Sequence, residues 1–393
     1  MRDPRTIALL LAGTLVIMAA PTISPALAGL QQRFSDEPHA AMFTRLLVPA
    51  PSLSVVLVAP FVGFLADRFG KSRMLLVGAC LFALAGSAGL VLPSLKLILA
   101  SRLVLGIAVA MIMTAQLSLI GDCFHGAARG RVMGWQISAR NFGGMIFVSL
   151  GGFLAGIGPQ IPFAIFGLAV FYIPLVWFAF RELNGPSVHG DEGIATQADI
   201  ESDVAWLGPV LSLSALMMLT VAVFFQMPTQ LPFFVVSRGL DGASVTGFAL
   251  AALTFTGGVA ALGSSGLQTL LGLSGQLALG FVLMASGFGV LTLDLGLGVL
   301  LVGTSLIGAG FAVLMPAFSG LLLQIVPPER RGTASGMLTT GGFVGQFLSP
   351  VICTPVISKV GFEADFLASM TILLVLGLGA LVVSLAQLRA KAV

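Results

Sequence analysis

Twelve stretches of roughly 20 mostly apolar residues each follow one another along this 393-residue chain, and no other feature constrains its fold as tightly. They lie near 6–30, 40–66, 73–92, 97–121, 131–156, 160–180, 206–234, 243–265, 275–293, 297–323, 333–357 and 364–388. As a helix, a run of that length covers about 30 Å, the thickness of a bilayer's hydrocarbon. Backbone amides in hydrocarbon must be satisfied internally, which leaves helices or a closed barrel. The runs are continuous and lack the apolar–polar alternation of barrel strands, so they read as helices. Only 9% of the chain is charged, against roughly 25% in soluble domains. The expected fold class is an all-α membrane protein with twelve transmembrane helices.

The first run has a rival reading. Arg2, Arg5, an apolar stretch and Ala26-Leu27-Ala28 resemble a signal peptide with its cleavage site. The stretch from Thr6 to Leu30 outlasts the roughly 7–15 residues of a signal-peptide core, so it reads as an uncleaved first span.

Orientation follows from Lys and Arg. With the N-terminus inside, the inner loops and ends hold twelve: Arg2, Arg5, Arg68, Lys71, Arg73, Arg129, Arg131, Arg181, Arg330, Arg331, Arg389 and Lys391. The outer loops hold four: Arg33, Lys96, Arg238 and Lys359. This bias places both termini in the cytoplasm of a plasma (inner) membrane. Residues 182–205 form the one long inner loop, with six acids and Gly185-Pro186, and read as a linker. The domains expected are therefore 1–181, the linker 182–205, and 206–393. An internal repeat supports two halves. At an offset of 202 residues Gly106 falls on Gly308, Arg129-Gly130 on Arg331-Gly332, Gly134 on Gly336 and Gly143 on Gly345.

Several function classes drop out. There is no Walker-type phosphate loop, no metal-ligand cluster and no nucleophile–His–acid set, so an enzyme, a cofactor or a bound metal is not expected. A net charge of +3 is too small to argue for nucleic acid. Cys80, Cys123 and Cys353 lie in or beside apolar runs and predict no disulfide.

Between the second and third runs stands Gly63-Phe-Leu-Ala-Asp67-Arg68-Phe-Gly70-Lys71-Ser-Arg73, a charged turn bounded by glycines that can reverse the chain at Gly63 and Gly70. It resembles the loop between spans 2 and 3 of the major facilitator superfamily. Arg102-Leu-Val-Leu-Gly106 is similar to that family's Arg-x-x-x-Gly signature in span 4, and Asp122 matches its acid at the inner end of that span. In span 5, Gly134, Gly143, Gly151 and Gly152 fit the spacing of the antiporter-type signature, with Phe147 and Val148 where it has Gly-Pro. The resemblance implies two pseudo-symmetric six-helix bundles, a solute site between them and alternating access. It also implies a latch in which Asp122 pairs with Arg68 or Lys71 and Asp67 sits near the helix starting at Gly332-Thr333, where unpaired amides favour an anion.

Charge inside the membrane carries the functional reading. All sixteen acids fall in loops or within a few residues of span ends, whereas Arg45, Arg102 and Arg140 penetrate. Intramembrane cations are costly unless they face water, a partner or a ligand. Arg140, about 15 Å in, is either an anion-receiving group or a structural arginine bonded to carbonyls. Arg102 is read as gating or structural, or as contacting solute; Arg45 as snorkelling outward. Candidate cavity groups are Gln116, Gln136, Asn141, Gln226, Gln230 and Gln346, each of which could instead bridge helices. The expected function is secondary active transport of a small amphiphilic or anionic organic solute by a monomer. Export coupled to protons leads, with coupling through Asp67, Asp122 or competition at an arginine-biased site. An uptake carrier for an organic anion and a non-transporting receptor or scaffold stay open.

Overall fold

The computed structural model describes residues 4–124, 126–180, 206–293 and 296–392. The expected linker, 182–205, lies outside the described residues, as do the side chain of Asp67 and Gly134. Among the described residues, every regular element is helical. Among the described residues nine helices are long and apolar enough to cross a membrane, and the pair Ala40–Leu46 and Ala50–Ala59, bent by 54°, makes a tenth. Two of the nine are themselves broken pairs: Gly242–Leu291 at Gly272 and Arg331–Ala392 at Gly361. The expected twelve crossings are therefore present.

In chain order they are α1 (Pro4–Arg33), α2 (Ala40–Leu46 with Ala50–Phe69), α3 (Lys71–Leu90), α4 (Leu95–Cys123), α5 (Gly126–Ile157) and α6 (Ile161–Phe180). The second set is α7 (Leu207–Ser237), α8 (242–271), α9 (273–291), α10 (Leu297–Ile325), α11 (331–360) and α12 (362–392). Gly272 (φ +67°) and Gly361 (φ +84°) reverse the chain in a region closed to most side chains. Proline acts unevenly. The helix of α7 is interrupted at Phe225, between Phe224 and Gln226. Pro228 cannot donate to the Phe224 carbonyl four residues back, and its ring crowds it. Pro316, by contrast, lies inside an unbroken α10.

The charged turn is tighter than expected. Helix α2 runs on to Phe69, Gly70 alone turns (φ +90°, ψ +133°), and α3 begins at Lys71. Gly63 is inside the helix and reverses nothing, which corrects its place in the turn. The molecule thus has a Gly70 end and, opposite it, a Gly239 end where α7 meets α8.

The repeat is legible in the contacts. A Cβ at Gly78 of α3 would lie 3.1 Å from Ile112 and 3.4 Å from the Ala108 carbonyl of α4. A Cβ at Gly280 of α9 would lie 2.6 Å from Leu314 and 3.0 Å from the Gly310 carbonyl of α10. Each residue in the second set is the first plus 202. Likewise Gly106 abuts the Pro51 carbonyl of α2, and Gly308 the Leu253 carbonyl of α8. Two cores result. One draws on residues from Ala8 to Phe180 and the other mainly on Val210 to Leu373. Each receives one buried intruder from the opposite half, Phe233 in the first and Val148 in the second.

Candidate functional site

Of the three arginines within spans, Arg140 is the one that makes no hydrogen bond or ion pair to a described residue. Its stem runs past Gly13 of α1, where a Cβ would lie 3.6 Å from Arg140 Cγ, 3.2 Å from Gln136 Cγ and 3.0 Å from Gln116 Nε2. Gly13 is nine residues into α1 and Gln116 seven residues from the end of α4, so this group sits about 10–14 Å inside the Gly70 end. The side chain is half-buried, and no hydrogen bond or ion pair joins it to a described residue. Its neighbour Asn141 points elsewhere, with its Cβ 3.5 Å from the position of a Cβ on Gly258 of α8, across the boundary between the halves.

The other expected solute contacts are mostly occupied in holding helices together. Arg102 is fully buried. Its Nη2 donates to the Gly86 carbonyl of α3 (2.9 Å), and its guanidinium lies over Phe163 and Phe166 of α6 at 4.5 and 4.4 Å. This corrects the solute-contact reading of Arg102: the side chain is clamped among α3, α4 and α6 with no solvent access. Gln116 is 2% exposed and donates to the Leu9 carbonyl, binding α4 to α1. Gln226 is also corrected to a bridge, for its amide nitrogen reaches Ser369 Oγ at 2.9 Å and Cys353 Sγ at 3.1 Å. Gln346 is buried on α11 and makes no hydrogen bond to a described residue.

The halves meet towards the Gly239 end. Arg45 does not snorkel outward: Nε donates to Gln230 Oε1 of α7 (2.9 Å), Nη1 to Gln31 Oε1 (3.2 Å) and to the Ala41 carbonyl (2.9 Å). Its guanidinium also stacks over the Phe233 ring at 3.9 Å. Gln230 in turn donates to Thr354 of α11 (3.0 Å). One turn from the end of α5, a Cβ on Gly152 would come within 2.7 Å of Gly247 Cα in α8. Of the glycines read in span 5, Gly152 serves close approach of two backbones across the seam, while Gly143 and Gly151 pack against Thr14 and Thr22 of α1. A cavity of about 830 Å³ opens beside this contact, lined by Gln31, Glu37, His39 and Phe233 among others; Arg140 does not line it.

At the Gly70 end, Lys71 Nζ meets Asp122 Oδ2 at 2.7 Å, the pairing the resemblance implied. The carboxylate is half exposed, so the bond is worth at most about 1 kcal/mol. Arg68 and Arg73 are exposed. The first ten residues of α11 are exposed at Arg331, Gly332, Thr333, Ser335, Gly336, Thr339 and Thr340, on more than one face of the helix.

One group escaped the sequence reading. Asp365, four residues past Gly361, was assigned to the margin of a span, yet it is 5% exposed in α12 and its Oδ2 has no hydrogen-bond partner. Its position four residues before Ser369 puts both on one helix face, and that phase was the available signal.

Two pseudo-symmetric bundles and a seam between them restrict the comparison to few folds. The sequence profile of the Major Facilitator Superfamily matches residues 9–350. The chain belongs to that superfamily. Among relatives, the class B tetracycline resistance protein of Escherichia coli is 26% identical over 349 residues, 85% of each chain. Multidrug resistance protein 2 of Bacillus subtilis is 31% identical over 134 residues, about a third of each. A D-xylose-proton symporter structure superposes with a TM-score of 0.77 at 18% identity, covering 96% of both chains. The inward-open xylose transporter XylE of E. coli gives 0.73 at 16%, covering 95% and 94%. The chain is therefore a multi-pass integral membrane transporter of the Major Facilitator Superfamily with drug-efflux homologues, and not an enzyme.

Proposed function

We propose that this transporter exports a small amphiphilic or anionic organic solute in exchange for protons, by rocking its two halves about the central seam. The Gly70 end and both termini face the cytoplasm of the inner membrane, which the excess of Lys and Arg at that end supports. Arg140 carries the reading of the solute. A half-buried guanidinium at membrane depth that no acid or carbonyl among the described residues satisfies is stable beside water and binds a carboxylate or phosphate well. The names of the relatives, tetracycline and multidrug resistance proteins, support export of a drug-like molecule. The contacts at the Gly239 end and the bared start of α11 support a conformer open to the cytoplasm, ready to load.

Purified protein is screened for thermal stabilisation by organic anions, including tetracycline-like chelators, and the screen is repeated on Arg140→Gln. A charge-assisted hydrogen bond contributes about 1.5–3 kcal/mol, so a true anion ligand loses about 10- to 150-fold in affinity. Equal stabilisation of both forms removes Arg140 from the site. Accumulation in everted vesicles, with and without a pH gradient, separates export from uptake of an organic anion, and either from a receptor that moves nothing.

A further inference from the structure

We infer that Asp365 is a proton-binding site, loaded when the halves close at the Gly239 end and emptied when they open. The inference rests on the alternating-access reading above; a proton taken from and returned to the Gly239 side gates that end and is separate from the protons exchanged for solute.

Asp365 stands on the first turn of α12 and is 5% exposed. The adjoining Phe366 packs against Phe234 of α7 at 5.1 Å and Phe288 of α9 at 5.8 Å. One turn along the same face, Ser369 is bridged through Gln226 of α7 to Cys353 of α11, which sets those two helices beside it. The nearby donors are already engaged. Gln226 gives its amide hydrogens to Cys353 Sγ and Ser369 Oγ, and the Ser369 hydroxyl bonds back to Gln226 Oε1 at 3.2 Å. Basic groups are engaged too. Arg238 pairs with Glu363 at 2.9 Å, Arg45 is held by Gln230, Gln31 and Ala41, and Lys359 is exposed.

An ionised carboxylate left in such surroundings is strongly unfavourable, and a proton on it removes the cost. A hard metal cation would need about six oxygens around it. No metal-holding group of His, Cys, Asp and Glu exists among the described residues.

The acid is wired to the seam. Cys353 adjoins Thr354, which accepts from Gln230, and Gln230 accepts from Arg45 of the other half. Parting the halves breaks the Arg45–Gln230 bond and frees Gln230 and Thr354 for water, which reaches the carboxyl and lets it ionise. Closing reverses this. The closed form holds one more proton than the open form, so acid favours closure.

The test uses full-length protein in lipid nanodiscs with spin labels at Val91 and Leu293, both exposed at the Gly239 end, after replacing Cys80 and Cys123 and leaving the buried Cys353. In wild type the closed-to-open ratio falls as pH rises, by up to about tenfold per pH unit for one linked proton. Asp365→Asn, nearly isosteric, stays closed at every pH, and Asp365→Glu restores the response. A wild type whose ratio ignores pH, or an Asp365→Asn that keeps the wild-type slope, overturns the proposal. Arg140→Gln retains the pH response, so failure of the solute reading leaves this result intact and the reverse also holds.

Discussion

Replacing Gly152 by Ala should pry the halves apart at the Gly239 end. The added carbon would sit 2.7 Å from Gly247 Cα, whereas carbon atoms rest at about 3.5–4.0 Å. The neighbour is backbone, so no rotamer relieves the clash and the α5–α8 seam must widen by about 1 Å. Overpacking of this kind costs about 1–3 kcal/mol. The cost falls only on the conformer in which the glycines touch, so the closed-to-open ratio should drop about 5- to 150-fold. Gly156→Ala is the control. It lies one turn further along α5, and its new carbon would be 4.0 Å from Ser244 Oγ, ordinary contact. Both changes gain the same helix propensity, about 1 kcal/mol, in every conformer, so the difference between them isolates the seam. Label distances between Val91 and Leu293 report the ratio. If Gly152→Ala and Gly156→Ala both match wild type, the backbone contact does not hold this end shut.

Two further outcomes test the corrections made above. Arg102→Met should unfold at the same or a higher temperature than wild type, because it fills similar volume without a buried charge that lacks an acid, while Arg102→Ala should lose about 2–5 kcal/mol through the cavity it leaves; thermal unfolding in detergent ranks the three, and a much less stable Arg102→Met would show that the charge itself is needed. Gly63→Ala should be neutral or stabilising by up to about 1 kcal/mol, since the site is helical with no atom near, whereas Gly70→Ala, at φ +90°, should lose about 1–2 kcal/mol; equal effects would return Gly63 to the turn.

Length and continuity of the apolar runs were enough to establish the number of crossings, and the offset of 202 residues was enough to pair Gly106 with Gly308 and locate the two cores. These are one-dimensional signals: hydrocarbon thickness sets a run length, and a duplicated bundle keeps its close-packing glycines in register. The motif likewise led to Lys71 and Asp122, whose elements are joined by short connections. What the chain could not reveal was where a polar side chain spends its hydrogen bonds. Arg45, Arg102 and Arg140 look alike as cations in apolar runs, yet one crosses the seam to Gln230, one is sealed under Phe163 and Phe166, and one is left open. Asp365 reads as a span-margin acid because it stands at the start of the run 364–388; only the packing of distant helices around it makes it buried. Helix rotation and the choice of neighbour decide these matters, and both arise from packing of distant segments, which no local pattern records.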